Sequence, residues 1–312
     1  MSATSQVPPF LLGAAQRSPQ IPLLGALSVV VTALGWGLNW PATKLLIAAC
    51  PPLSARGVAG AVACVILFIA AALRGESLRV ARPERWRLAA GALLNVTAWM
   101  GGTTAALRWL PAGQAVTLAY TMPIWVCLLN WPILGERPTF RQIAAIILGM
   151  VGIIVLVGPG SLSFERDDAP GIALALGSAM LFGLGTVFGK ARPVCLGPLA
   201  FTAWQVAVGS IPLLILGLCL EAPAFAALSL FAWAALAYTA VVSMGICYVT
   251  WFVARSRLSA PAAATGTLLT PVIGVAASSL ALGDPLTAPQ LVALMLVAGG
   301  IILGSATPVA AR

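Results

Sequence analysis

Histidine is absent from this chain, acidic residues number eight in 312, and charged residues make up only 8%. Each shortage excludes something. Without histidine, the chain lacks the commonest general base and metal ligand. A soluble domain carries roughly 25% charged residues, so this chain cannot cover itself with a surface that water tolerates. The six cysteines (Cys50, Cys64, Cys127, Cys195, Cys219, Cys247) form no C-x-x-C pair. Most fall inside apolar runs and read as small packing residues, not disulfides or metal ligands. No G-x-x-x-x-G-K-[ST] occurs, which excludes nucleotide-driven pumping. All eight acids lie between apolar runs or at their ends, so no carboxylate is available at mid-membrane to carry a proton.

What is present is apolar: 60% of residues are hydrophobic. The runs last about 20 residues and do not alternate, so they predict membrane-crossing helices and not a barrel. Ten spans follow, at roughly 22–45, 53–73, 88–108, 112–134, 140–159, 171–190, 198–219, 229–253, 261–282 and 288–306. The linkers are short and marked by proline, glycine or charge. The first 20 residues, with Pro8-Pro9 and a single arginine, lack the basic start of a signal peptide and read as a loose tail.

The net charge of +9 sits between the apolar runs, where it orients spans and does not form a nucleic-acid surface. With both termini cytoplasmic, 13 of the 17 Lys and Arg fall on the inside, leaving Lys44, Arg56, Arg108 and Arg166 outside. Five of the eight acids, including Glu221 and Asp284, join those four. Ten crossings and a multi-pass protein of the bacterial inner membrane are the expectation.

The sequence also repeats. Shifted by 148 positions, Gly35-Trp36-Gly37 falls on Gly183-Leu184-Gly185, Lys44 on Arg192, and Pro123 on Pro271. Leu134-Gly135-Glu136 falls on Leu282-Gly283-Asp284, and Thr139 and Gln142 fall on Thr287 and Gln290. One register held over more than a hundred residues predicts a duplicated unit. Five spans per unit is odd, so the second copy enters the membrane inverted. The expected organisation is a tail at 1–20, a first repeat at 21–159, an external linker at 160–170, a second repeat at 171–307 and a tail at 308–312. The expected fold is all-α: ten transmembrane helices as two inverted five-helix repeats around a central cavity, with the site where the halves meet.

At this point the chain resembles the drug/metabolite transporter superfamily, in its ten-helix EamA-type branch. The residues that carry the resemblance are Gly35-Trp36-Gly37-Leu38-Asn39-Trp40 with Lys44, and Tyr120-Thr121-Met122-Pro123 leading to Leu134-Gly135-Glu136-Arg137. Leu269-Thr270-Pro271 leading to Leu282-Gly283-Asp284 completes the pattern, with aspartate where the family usually has glutamate. The resemblance covers residues 22–306 and implies export of amino acids and related metabolites.

Polar and aromatic side chains inside spans are the candidate site, because each costs free energy in lipid unless it faces a cavity or a partner. Trp36, Asn39 and Trp40 share a face of the first span, and Asn95 and Trp99 share one in the third. Thr121, Phe182, Thr186, Tyr238, Ser243, Thr267 and Thr270 complete the substrate-binding set. Hydroxyls in membrane helices also bond their own backbone, and Trp86, Trp109, Trp131 and Trp251, near span ends, read as an interfacial belt. Pro123 and Pro271 are candidate hinges, one per repeat, or static bends. Lys44 and Arg192 are candidate charges at the two mouths, or snorkelling cations.

These residues predict a transporter, not an enzyme. It would carry neutral or aromatic amino acids by alternating access, as a facilitator or exchanger without proton coupling. A multidrug or organic-cation exporter of the same fold is the alternative. A membrane-embedded lipid-modifying enzyme would need acid clusters near a membrane face, and Glu165, Asp167 and Asp168 form a loop cluster only. The expected partners are a small-molecule substrate and the lipid bilayer, with no nucleic acid, no cofactor, no metal and no obligatory protein partner, in a monomer.

Overall fold

The computed structural model describes residues 20–47, 49–110, 112–157, 166–282 and 288–305, and among these there is no strand. Ten helical crossings account for nearly all of them. The first five are α1 (Gln20–Ile47), α2 (Pro52–Leu73), α3 (85–106), α4 (112–134) and α5 (Phe140–Val157). The second five are α6 (Ala169–Ala191), α7 (Pro198–Leu220), α8 (Leu230–Arg257), α9 (260–282) and α10 (Ala288–Ser305). Five helices among the described residues are individually long and apolar enough to cross a membrane: α2, the greater part of α4, α6, α7 and α8.

Four crossings are irregular, and they pair by the repeat. α3 contains a π-helical stretch at Leu93–Ala98, and α8 contains one at Thr239–Ile246. α4 breaks between Ala119 and Met122, and α9 breaks between Gly266 and Leu269. Each break lies just before the proline that the repeat aligns. A proline lacks the N–H its helix needs and clashes with the preceding turn, so the chain closes there with tight i→i−3 bonds. Thr121 N–H donates to the Leu118 carbonyl at 3.2 Å, and Thr270 N–H donates to the Thr267 carbonyl at 2.9 Å. α4 ends at Gly135, whose φ of 73° is the left-handed conformation that glycine adopts without a Cβ penalty.

The halves interlock. α1 packs against α8 and α9 of the other half, and α6 packs against α3 and α4, its counterparts under the repeat. α2 packs on α7, and α5 on α10, each helix against its own copy. This pairing is what a twofold pseudo-axis between inverted units produces, and it closes the bundle around residues drawn from both halves. Small residues allow the α2–α7 contact: a Cβ on Gly57 would fall on the backbone of Leu214, and one on Gly217 would fall on the backbone of Ser54.

Candidate functional site

A row of six rings crosses the centre of the bundle. Tyr120 meets Trp99 edge-on at 6.3 Å, Trp99 meets Phe182 at 4.8 Å, and Phe182 meets Trp251 at 5.5 Å. Trp251 meets Trp36 at 6.1 Å, and Trp36 meets Tyr248 edge-on at 5.5 Å. The rings come from α1, α3, α4, α6 and α8, so both halves build the wall. Phe182, Tyr248 and Trp251 have no exposure at all.

The π-helical stretches anchor this wall. The Trp36 indole N–H donates to the Ser243 carbonyl at 3.0 Å, and the Tyr248 hydroxyl donates to the Asn95 carbonyl at 3.0 Å. A π-helix shifts the backbone ladder locally, and such stretches are common at functional sites.

On one side of the wall lies a small cavity of about 60 Å³, lined by Trp36, Asn39, Thr43, Arg56, Trp99, Met100, Thr103, Ala119, Tyr120 and Ser243. A polar chain runs along it. Arg56 Nη2 and Asn39 Nδ2 both donate to the Thr43 hydroxyl, at 3.1 and 3.0 Å, and the Thr239 hydroxyl donates to Asn39 Oδ1 at 3.2 Å. Four buried polar atoms at or near the wall have no hydrogen-bond partner: Arg56 Nη1, Asn95 Oδ1, Ser243 Oγ and Trp251 Nε1. A buried donor or acceptor left unmade costs about 1–3 kcal/mol.

On the other side, a vestibule of about 440 Å³ reaches the surface among α3, α6, α7 and α8. Its lining carries Arg87, Lys190, Arg192 and Arg255, with Gln205 and the rings of Phe188, Phe201 and Phe252, and among the described residues no acidic side chain. Arg255 is buried. It donates from Nη1 to the Gly185 carbonyl at 3.2 Å and lies over the Phe252 ring at 4.9 Å. Gly189 makes room for it, because a Cβ there would collide with the guanidinium.

The sequence-predicted residues divide accordingly. Trp36, Asn39, Trp99 and Ser243 line the small cavity, and Phe182 lies in the wall beside it. Asn95 is buried below, its Nδ2 donating to the Gly91 carbonyl at 2.9 Å. Tyr238 donates to the Gly35 carbonyl at 3.0 Å, joining α8 to α1. Thr121, Thr186 and Thr267 donate to carbonyls three or four residues back in their own helices. Thr270 is buried with its hydroxyl unpaired. Pro123 and Pro271 stand at the starts of the second halves of α4 and α9. Arg192 is exposed at the vestibule rim. Trp40 and Lys44 belong to α1, but their side chains lie outside the described residues, as does Asp284.

Trp251, read from the sequence as interfacial, is in the core of the wall. Arg56 and Arg255 were placed among the orienting loop charges, yet both enter the bundle. Their proximity to span ends hid them, since burial depends on what other helices bring. Trp86, Trp109 and Trp131 are exposed, as belt residues are.

Comparison with known proteins places this architecture. The EamA-like transporter family matches residues 23–158 and again 169–306. The chain is 32% identical over 284 residues to "Uncharacterized transporter YvbV" of Bacillus subtilis (strain 168), covering 89% of this chain and 90% of that one. It is 26% identical over 292 residues to a "Probable amino-acid metabolite efflux pump" of Salmonella typhimurium, covering 89% and 93%. A solved crystal structure superposes with a TM-score of 0.77 at 19% identity, over 91% of this chain and 97% of its own, which shows the shared fold. Two family repeats, ten crossings and a ring wall shared between the halves identify this chain as a multi-pass membrane transporter that belongs to the EamA-like transporter family.

Proposed function

We propose that this transporter exports small amphipathic metabolites, neutral and aromatic amino acids among them, by alternating access between its two inverted halves. The observation that carries the reading is the six-ring wall, built by both halves and flanked by a cavity on each side. Rings give area on which an apolar side chain packs, and the unpaired polar atoms nearby meet its polar end. Rocking the halves would part the wall toward one cavity and then the other, with the breaks at Pro123 and Pro271 taking up the bend. The relatives described as amino-acid metabolite efflux pumps support both the solute class and the direction.

The excess of Lys and Arg in alternate loops supports cytoplasmic termini in the bacterial inner membrane, with the basic vestibule facing the cytoplasm. That vestibule argues against an organic-cation exporter, because four cationic side chains repel a cationic solute at entry. Counterflow by the purified protein in liposomes tests the reading. Labelled phenylalanine is expected to accumulate in vesicles preloaded with phenylalanine and to be insensitive to tetraphenylphosphonium. Competition by quaternary cations but not by amino acids would overturn it.

A further inference from the structure

We propose that Arg255 and Arg56 are two carboxylate-binding subsites, one on each side of the ring wall, so that the solute is an amphipathic monocarboxylate. The inference rests on the transporter reading above and names the chemistry of its solute.

Among the described residues, Arg108 pairs with Glu221 at 3.7 Å, and neither Arg56 nor Arg255 forms such a pair. Keeping an unpaired guanidinium in a low-dielectric interior is expensive, and such residues in membrane spans mark solute pathways. Each sits in a built cradle. Arg255 lies between the bare backbone of Gly185 and Gly189 and the faces of Phe201 and Phe252, at 5.8 and 4.9 Å. Arg56 faces the small cavity, with Nη2 held by Thr43 and Nη1 buried without a partner. A guanidinium with a fixed edge presents paired donors that match a carboxylate.

The two lie on opposite sides of the wall. Arg255 occupies the last turn of α8 at the vestibule, and Ser243, twelve residues earlier on that helix, lines the cavity that holds Arg56. Twelve residues of helix span roughly 18 Å. The row of Trp36, Trp251, Phe182 and Trp99 lies between, offering a ring face to the solute's apolar part. A single charge is indicated at the inner cavity. Among the described residues Arg56 is the cation that lines it, so a phosphate dianion would keep an uncompensated charge there.

The test reads binding apart from transport. Trp36, Trp99 and Trp251 supply intrinsic fluorescence at the wall, and the full-length protein in detergent is titrated with 3-phenylpropionate and with its neutral alcohol, 3-phenylpropanol. The carboxylate is expected to bind at least tenfold more tightly. Arg255→Met should lower that ratio severalfold, Arg255→Lys should retain part of it, and the Arg255→Met/Arg56→Met double variant should bring it close to one. In counterflow, where the solute must visit both sides, Arg56→Met should lower the preference for phenylalanine over phenylalaninamide by a similar factor. A monodisperse elution profile and the Lys variants guard against misfolding. Equal binding of acid and alcohol, binding of neither, or Met variants that keep the wild-type preference would overturn the subsites. Carboxylate-selective binding with no counterflow of any amino acid would leave the subsites standing and sink the export reading.

Discussion

Asn95 and Ser243 occupy the same place in the two halves, 148 positions apart, and the carbonyl of each accepts a hydrogen bond from an aromatic side chain of the other half. Tyr248 of the second half serves Asn95, and Trp36 of the first half serves Ser243. The two donors touch, with ring centroids 5.5 Å apart. The carbonyls lie in the π-helical stretches, so the irregular backbone of each half is held by the partner half.

Removing either donor tests this device. Tyr248→Phe, which keeps the ring, should lower stability by about 1 kcal/mol, the usual net worth of one hydrogen bond, and Trp36→Phe should cost more, because it also shrinks a buried ring. Because the rings are in contact, the double variant should depart from additivity. Thermal unfolding in detergent, followed by circular dichroism, measures all three; unchanged midpoints would mean that the bonds hold nothing.

A second reciprocal device joins α2 and α7. The Glu221 carboxylate, at the end of α7, accepts from the backbone N–H groups of Leu53 and Ser54 at 3.2 and 2.7 Å, and from the Ser54 hydroxyl at 2.9 Å. Glu76, beyond the end of α2, accepts from the Ala200 N–H in the first turn of α7 at 2.8 Å. Carboxylates at helix N-termini satisfy free donors and complement the dipole. Glu221→Ala should cost about 2–3 kcal/mol, and Glu76→Ala less, since it loses one of these bonds where the other loses three. The same unfolding assay ranks them, and equal losses would contradict the assignment.

Glycine spacing on α2 predicts a steric result with its own control. Gly57→Ala would drive a Cβ into the backbone of Leu214 and should cost about 1–3 kcal/mol as the helices part. Gly177, on α6, has nothing within 4 Å of the equivalent atom, so Gly177→Ala should be neutral or mildly stabilising. Comparing the yield of monodisperse protein and its midpoint for both variants tests the contact.

Energy coupling is predicted from chemistry the spans do not contain. The chain has no histidine, and every described acid lies at a helix end or in a loop. Counterflow in liposomes should therefore run at the same rate with or without an imposed pH gradient. A severalfold stimulation by the gradient would require a proton carrier other than a carboxylate or an imidazole.

Much of the local structure could be read directly from residues. Thr139 and Gln142 form a reciprocal capping box at the start of α5, with bonds of 2.9 and 3.3 Å, as the T-x-x-Q spacing suggests. Gly135 stops α4, and Pro123 and Pro271 interrupt their crossings, because backbone chemistry acts within a few residues. The π-helical stretches were not legible, since their registers answer to packing between halves. The threonines were only partly legible: hydroxyls that could face a solute turned to their own helices instead.

The sequence by itself determined the membrane, the ten crossings, the duplication and its inversion. Apolar run length, charge alternation and one constant offset are additive along the chain and need no third dimension. Only the tertiary structure decided which charges and rings belong to the site. Arg56, Arg255 and Trp251 lie near span ends, where position alone predicts an exposed head group. Neighbouring helices bring Thr43 to Arg56, Gly185, Gly189 and Phe201 to Arg255, and Phe182 together with Trp36 of the other half to Trp251, and burial is a property of what surrounds a residue and not of where it falls in the chain.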